Sequence, residues 1–229
     1  MEGSYIQHFP VLKPPDGGQF YYETDLSRFI VEPWNAASSL TFLIPAFIWI
    51  YLIRKDLKSH PFFFFCQCLL AIGGIGSALY HAFRVSEVLM LLDVLPITIL
   101  TIALGLNFWI KVFKRLSWAI WLNVIFFFIR SYFYFITDDP NGINIAYFLS
   151  GANIGIPLIV ILFRTKWRGA FSLALSLSFC LLALYFRFID DDRPTLMMIG
   201  THWLWHVFCS FGAYFLSQYL YLIDIKKSN

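Results

Sequence analysis

Thr201-His202-Trp203-Leu204-Trp205-His206-Val207-Phe208 is the stretch on which the reading of this chain turns. Two histidines four residues apart share one face of a helix, with Cβ atoms roughly 6 Å apart. That spacing lets two imidazoles converge on one metal ion. The pair sits at the start of an apolar run, 196–223, long enough to cross a bilayer. An ionisable side chain in such a run is a functional candidate by default.

Working outward, the same apolar character continues through the chain. Runs at 33–53, 61–83, 87–110, 117–136, 143–163, 170–189 and 196–223 each approach the ~20 residues that a spanning helix needs. Of the 229 residues, 59% are hydrophobic and only 14% charged, against about 25% charged in a soluble domain. The expected fold class is therefore all-α, a polytopic membrane protein with seven transmembrane helices. Three parts are expected: a polar N-terminal segment over 1–31, a seven-helix membrane domain over 32–223 and a short basic tail over 224–229. The N-terminus lacks the basic region and short apolar core of a cleavable signal peptide. The four cysteines, Cys66, Cys68, Cys180 and Cys209, lie inside apolar runs and read as small buried hydrophobes. Nothing in this composition suits a nucleic-acid partner.

Charge sets the orientation. The connections after the first, third and fifth runs, with the C-terminal tail, hold 11 of the 17 Lys and Arg. The opposite side carries Glu23, Asp25, Glu32, Asp138, Asp139 and Asp190 to Asp192. The positive-inside rule then puts the N-terminus outside, in a lumen or periplasm, and the C-terminus in the cytoplasm. Trp109, Trp118, Trp121 and Trp167 read as interfacial anchors, and Arg130 and Arg187 as side chains that snorkel or pair with the acidic loops, with a role in holding a lipid headgroup as the alternative. Gly73, Gly74 and Gly76, and Gly151 with Gly155, mark close helix contacts.

With that orientation the polar residues inside the spans fall at one depth. Ser77 and His81 share a face near the outer end of the second run. Asp93 lies about two turns below the outer end of the third, and His202 and His206 occupy the first outer turns of the seventh. The topology was set from Lys and Arg alone, so this coincidence is independent of it. Three neutral imidazoles, His81, His202 and His206, form a set of protein ligands for a catalytic zinc with a fourth position open. Asp93 has the chemistry to accept a proton and Ser77 to hydrogen-bond a developing oxyanion. That inventory suits hydrolysis of an amide or ester in a membrane lipid. A transporter would instead need polar residues strung across the membrane.

Glu32-Pro33-Trp34-Asn35, Ser77-x-x-x-His81, Asp93-x-x-Pro96 and His202-x-x-x-His206, in that order, resemble the seven-helix superfamily of alkaline ceramidases, progestin/adiponectin-type receptors and related membrane hydrolases. Glu-x-Trp-Asn followed by Ser38 looks most like the alkaline ceramidase branch. The resemblance implies zinc on His81, His202 and His206, Asp93 and Ser77 in the catalytic shell, and cleavage of a ceramide-like N-acyl bond to a sphingoid base and a fatty acid. It also implies a calcium site that includes Glu32. The segment before it, Phe20-Tyr21-Tyr22-Glu23-Thr24-Asp25, departs from the family's pattern in the placing of its acids and in having no Asn. Two further readings stand beside this one: a zinc-dependent lipid esterase of the phospholipase type, and a receptor-like protein with structural zinc. The receptor reading expects a long soluble N-terminal domain, which this sequence does not show. Lys226-Lys227-Ser228-Asn229 resembles a retrieval tail of the endoplasmic reticulum, and the short loops suit a bacterial inner membrane equally.

Overall fold

The computed structural model describes residues 14–136, 141–190, 197 and 199–225. Among these, seven long helices and no strand are present. We label them α1 (Pro33–Ile53), α2 (Pro61–Phe83), α3 (Glu87–Phe113), α4 (Leu116–Phe135), α5 (Gly142–Arg164), α6 (Ala170–Phe188) and α7 (His202–Leu220). A single 3-10 turn, Leu40–Phe42, interrupts α1. Helices α1 to α6 are long and apolar enough to cross a membrane. Helix α7 has 19 residues, but His202, His206, Ser210, Ser217 and Gln218 lower its hydropathy below the other six. It also starts later than the apolar run suggests. Gly200 adopts φ 75°, and the Asp190 carboxylate accepts from the backbone N–H of Thr201 (2.6 Å) and His202 (2.9 Å). Those bonds satisfy donors that the first helical turn leaves orphaned.

Side chains from six of the helices meet in a core that includes Trp49, Leu70, Phe108, Leu158, Leu173 and Tyr219, all at most 4% exposed. Polar clasps reinforce it, as expected where lipid removes the hydrophobic drive for helices to associate. Trp109 Nε1 donates to Asn153 Oδ1 (2.9 Å), and Asn153 Nδ2 donates to Asn123 Oδ1 (2.9 Å), tying α3, α4 and α5 together. Trp109 is thus a buried structural residue and not an interfacial anchor. Trp118, Trp121 and Trp167 are exposed, as anchors would be. Gln67 Nε2 donates to Ser217 Oγ (3.0 Å) and joins α2 to α7.

The glycines sort by what faces them. A Cβ on Gly76 would lie 2.2 Å from the Leu92 carbonyl oxygen, and one on Gly73 would lie 2.7 Å from Ile97. These two let α2 and α3 pack closely. Gly151 faces open space, so the G-x-x-x-G on α5 is not a tight crossing. All four cysteines are free thiols.

Residues 14–32 fold over the end of the bundle where α2 finishes and α7 begins. Backbone N–H groups of Val31 and Glu32 donate to the carbonyls of Ala82 (2.9 Å) and His81 (3.1 Å). The Glu23 carboxylate accepts from the N–H groups of Trp34 (2.6 Å) and Asn35 (2.9 Å). A distant carboxylate therefore caps α1, a favourable place for negative charge. Asn35 is buried within the helix, with Nδ2 3.3 Å from Glu32 Oε2. Burial pushes the Glu23 carboxyl above its ordinary range, although both backbone hydrogen bonds oppose this.

Candidate metal centre and cavity

His81 lies two residues before the end of α2, and His202 and His206 on successive turns of α7. All three are at most 3% exposed. Their ring centroids stand 5.3 Å (His81–His202), 5.0 Å (His81–His206) and 4.7 Å (His202–His206) apart. One ring nitrogen from each lies within 4.8 Å of the others. The three residues expected to converge from helices more than a hundred positions apart do so.

The chemistry of the donor set fits a metal ion such as zinc. The second ring nitrogen of a ligating His characteristically bonds a carboxylate or another acceptor, which fixes the tautomer. His81 Nδ1 bonds the Glu32 carboxylate. His206 Nδ1 lies 2.9 Å from Ser38 Oγ and 3.3 Å from Ser39 Oγ, and Ser38 Oγ donates to the Asn35 carbonyl (3.0 Å). The Ser38 oxygen is thereby free to accept a hydrogen bond from the His206 Nδ1–H group. Both imidazoles then keep Nε2 for an ion. His202 Nδ1 has a long contact, 3.4 Å, with Arg187 Nη1, a group that only donates. Tyr21 stacks on His202 with ring centroids 3.9 Å apart and holds it from the N-terminal side.

Asp93 and Ser77 join the same place. A cavity of about 210 Å³ is lined by Ser77, Asp93, His202 and His206 at its polar part and by residues such as Leu70, Ile97, Leu100 and Leu104 elsewhere. The Asp93 carboxylate is within reach of the Ser77 hydroxyl. Ser39 Oγ is 3.0 Å from Ser77 Oγ. An apolar cavity with a cluster of polar side chains in its lining is what a lipid with one reactive linkage requires.

Glu32 does not match the calcium site that the resemblance implies. Its Oε1 accepts from Arg84 and from Thr24 Oγ1 (2.6 Å), and its Oε2 takes His81. Asp16 bonds the same guanidinium, at 2.6 Å from Nε and 3.2 Å from Nη2, while the Gln19 carbonyl accepts from Nη2 (2.8 Å). Both Glu23 oxygens are spent on backbone N–H groups. Calcium requires six to eight oxygen ligands. Here an arginine, with its side chain fully buried, occupies the centre of the carboxylate group. Arg84 adopts φ 53° at the end of α2, a left-handed backbone that turns its side chain back over the site. Burial disfavours its charge, but the Asp16 hydrogen bond and the Glu32 charge outweigh this and raise its pKa.

Arg130 and Arg187 depart from the snorkelling expectation. Both are buried, at 9% and 6% exposure, and both line the cavity. They do not snorkel. Asp190 is engaged in capping α7, and Asp138, Asp139, Asp191 and Asp192 lie outside the described residues.

Asp16, Glu23, Arg84 and Asp190 were given no site role from sequence. Only Arg84 carried a signal: a basic residue three positions after His81, in the short connection between the second and third apolar runs. The fold and site together define an all-helical, membrane-type bundle with a buried three-histidine centre. The family model described as Ceramidase matches residues 22–229, nearly the whole chain, and the protein belongs to that family. A search of the curated proteins gives no match.

Proposed function

We propose that the protein is an intramembrane zinc-dependent lipid amide hydrolase that cleaves the N-acyl bond of ceramide-like lipids to a sphingoid base and a free fatty acid. The observation that carries this reading is a cluster of three buried imidazoles, two of which, His202 and His206, line one apolar cavity together with Asp93 and Ser77. Family membership supports a lipid amide as substrate. The orientation of the basic residues supports seven spans with the N-terminus outside and this centre in the outer third of the membrane.

His81, His202 and His206 would hold the ion. Zinc in such a site polarises an acyl oxygen and makes water nucleophilic near neutral pH. The chain's own groups do the rest. Asp93 accepts a proton from the attacking water and returns it to the amide nitrogen as the C–N bond breaks. Ser77 donates a hydrogen bond to the acyl oxygen as charge builds there. Leu70, Ile97, Leu100 and Leu104 hold an acyl chain and exclude bulk water. The products are a carboxylic acid and an amine.

Fatty acid release by purified protein tests the reading, using ceramides, other N-acyl lipids and phospholipid esters, with His206→Ala alongside. Release from N-acyl lipids that vanishes in the variant is expected. Release from esters alone would move the protein to the phospholipase reading. No release by zinc-loaded protein would favour structural zinc.

A further inference from the structure

The cavity holds more positive charge than hydrolysis of a neutral amide requires. Its charged lining residues are Asp93, Arg130 and Arg187, two cations to one anion before any metal is counted. Among the described residues neither arginine has a carboxylate within ion-pair distance. Arg130 Nε donates to Ser150 Oγ (3.1 Å) and its Nη2 to Thr98 Oγ1 (3.2 Å). Arg187 Nη2 donates to Gln19 Oε1 (2.9 Å), and its Nε is buried with no partner. The faces of Tyr147 and Trp205, at 5.0 and 5.7 Å from its guanidinium carbon, attract the cation but do not neutralise it. Arg84, in the same protein, shows the alternative: a buried guanidinium held by two carboxylates. Burying an uncompensated charge is costly, and a guanidinium is shaped to receive an oxyanion.

We propose that the lipid in this cavity carries an anionic oxygen group and that Arg187, with Arg130, selects it. This rests on the hydrolase reading for the identity of the lipid, and on cavity charge alone for the anion. Two sources share the chemistry: the carboxylate of the released fatty acid, and a phosphate on the headgroup of the intact lipid.

Binding without turnover tests it, by calorimetric titration in a neutral detergent. Hexadecanoate is compared with hexadecanol, and ceramide bearing a phosphate with ceramide itself. A charge-assisted hydrogen bond is worth roughly tenfold in affinity. Wild-type protein should therefore prefer at least one anionic member by about tenfold or more. A metal ion would also attract an anion, so the variants decide the matter. Arg187→Met and Arg130→Met should each shrink the preference, Arg187→Met to within about twofold, and Arg187→Lys should restore part of it. Preference for hexadecanoate alone identifies a product site, and preference for the phosphorylated ceramide a headgroup site. Equal binding of charged and uncharged members by wild type, or an undiminished preference in both Met variants, would overturn the proposal. Hydrolysis of neutral ceramide without charge preference would remove this inference and leave the hydrolase reading standing. Charge preference without hydrolysis would do the reverse.

Discussion

Glu32 and His81 are bonded side chain to side chain, and the same carboxylate takes the Arg84 guanidinium on its other oxygen. One buried acid thus orients an imidazole of the candidate metal centre and neutralises a cation. Replacing such an outer carboxylate typically weakens metal binding about 10- to 100-fold. Glu32→Gln should lose zinc affinity by that order in competition with a chelator. Its helix content should persist, because the core around Trp49, Phe108 and Tyr219 does not involve Glu32. Unchanged zinc affinity would mean that His81 needs no carboxylate to hold its tautomer.

Arg84 does internally what a divalent cation would do between Asp16 and Glu32. The wild-type melting temperature should be the same in calcium and in a calcium chelator that spares zinc. Arg84→Met leaves two buried carboxylates facing each other. Breaking a buried pair costs about 3–5 kcal/mol, which should lower melting by on the order of 10 °C. Calcium should then recover part of the loss in the variant only. A calcium-dependent rise in wild-type melting would contradict the arrangement.

The parts of this site that could be read in advance share one property: each lies inside a helix whose period and direction fix its place. Ser77, His81, Asp93, His202 and His206 met because four-residue spacing sets a face and alternating charge sets an end. Residues 14–32 escaped, since a non-repeating segment has no period, and the contacts of Asp16, Glu23 and Tyr21 come from tertiary folding. The burial of Arg130 and Arg187 was not legible for a related reason. Helices apolar on every side do not announce which face turns inward, so a buried arginine and a snorkelling one look alike. Trp109 near a helix end raised the same ambiguity, and its bond to Asn153 resolved it.

Asp93 separates a hydrolase from a structural metal protein. It lines the cavity and is not among the three residues that gather around the candidate ion. Asp93→Asn should keep its zinc, measured by elemental analysis of purified protein. Its turnover should fall by about 10²- to 10⁴-fold, the usual contribution of a positioned acid–base group. Full activity in Asp93→Asn would assign the proton transfer elsewhere, and loss of zinc would make Asp93 part of the metal site.

Gly76 tests how closely α2 and α3 must approach for Ser77 and Asp93 to act together. It precedes Ser77, and its missing side chain faces the carbonyl of Leu92, which precedes Asp93. A methyl group there would sit 2.2 Å from that oxygen, well inside contact distance, and the opposing atom is backbone. Gly76→Ala must therefore push α3 away, and Asp93 with it. A displacement of about 1 Å at a reacting group costs on the order of 100-fold in rate. The expected result is a loss of that size in turnover with zinc retained, since His81, His202 and His206 lie on α2 and α7 and not on the displaced helix. Loss of zinc together with turnover would show instead that α2 had moved and carried His81 out of place.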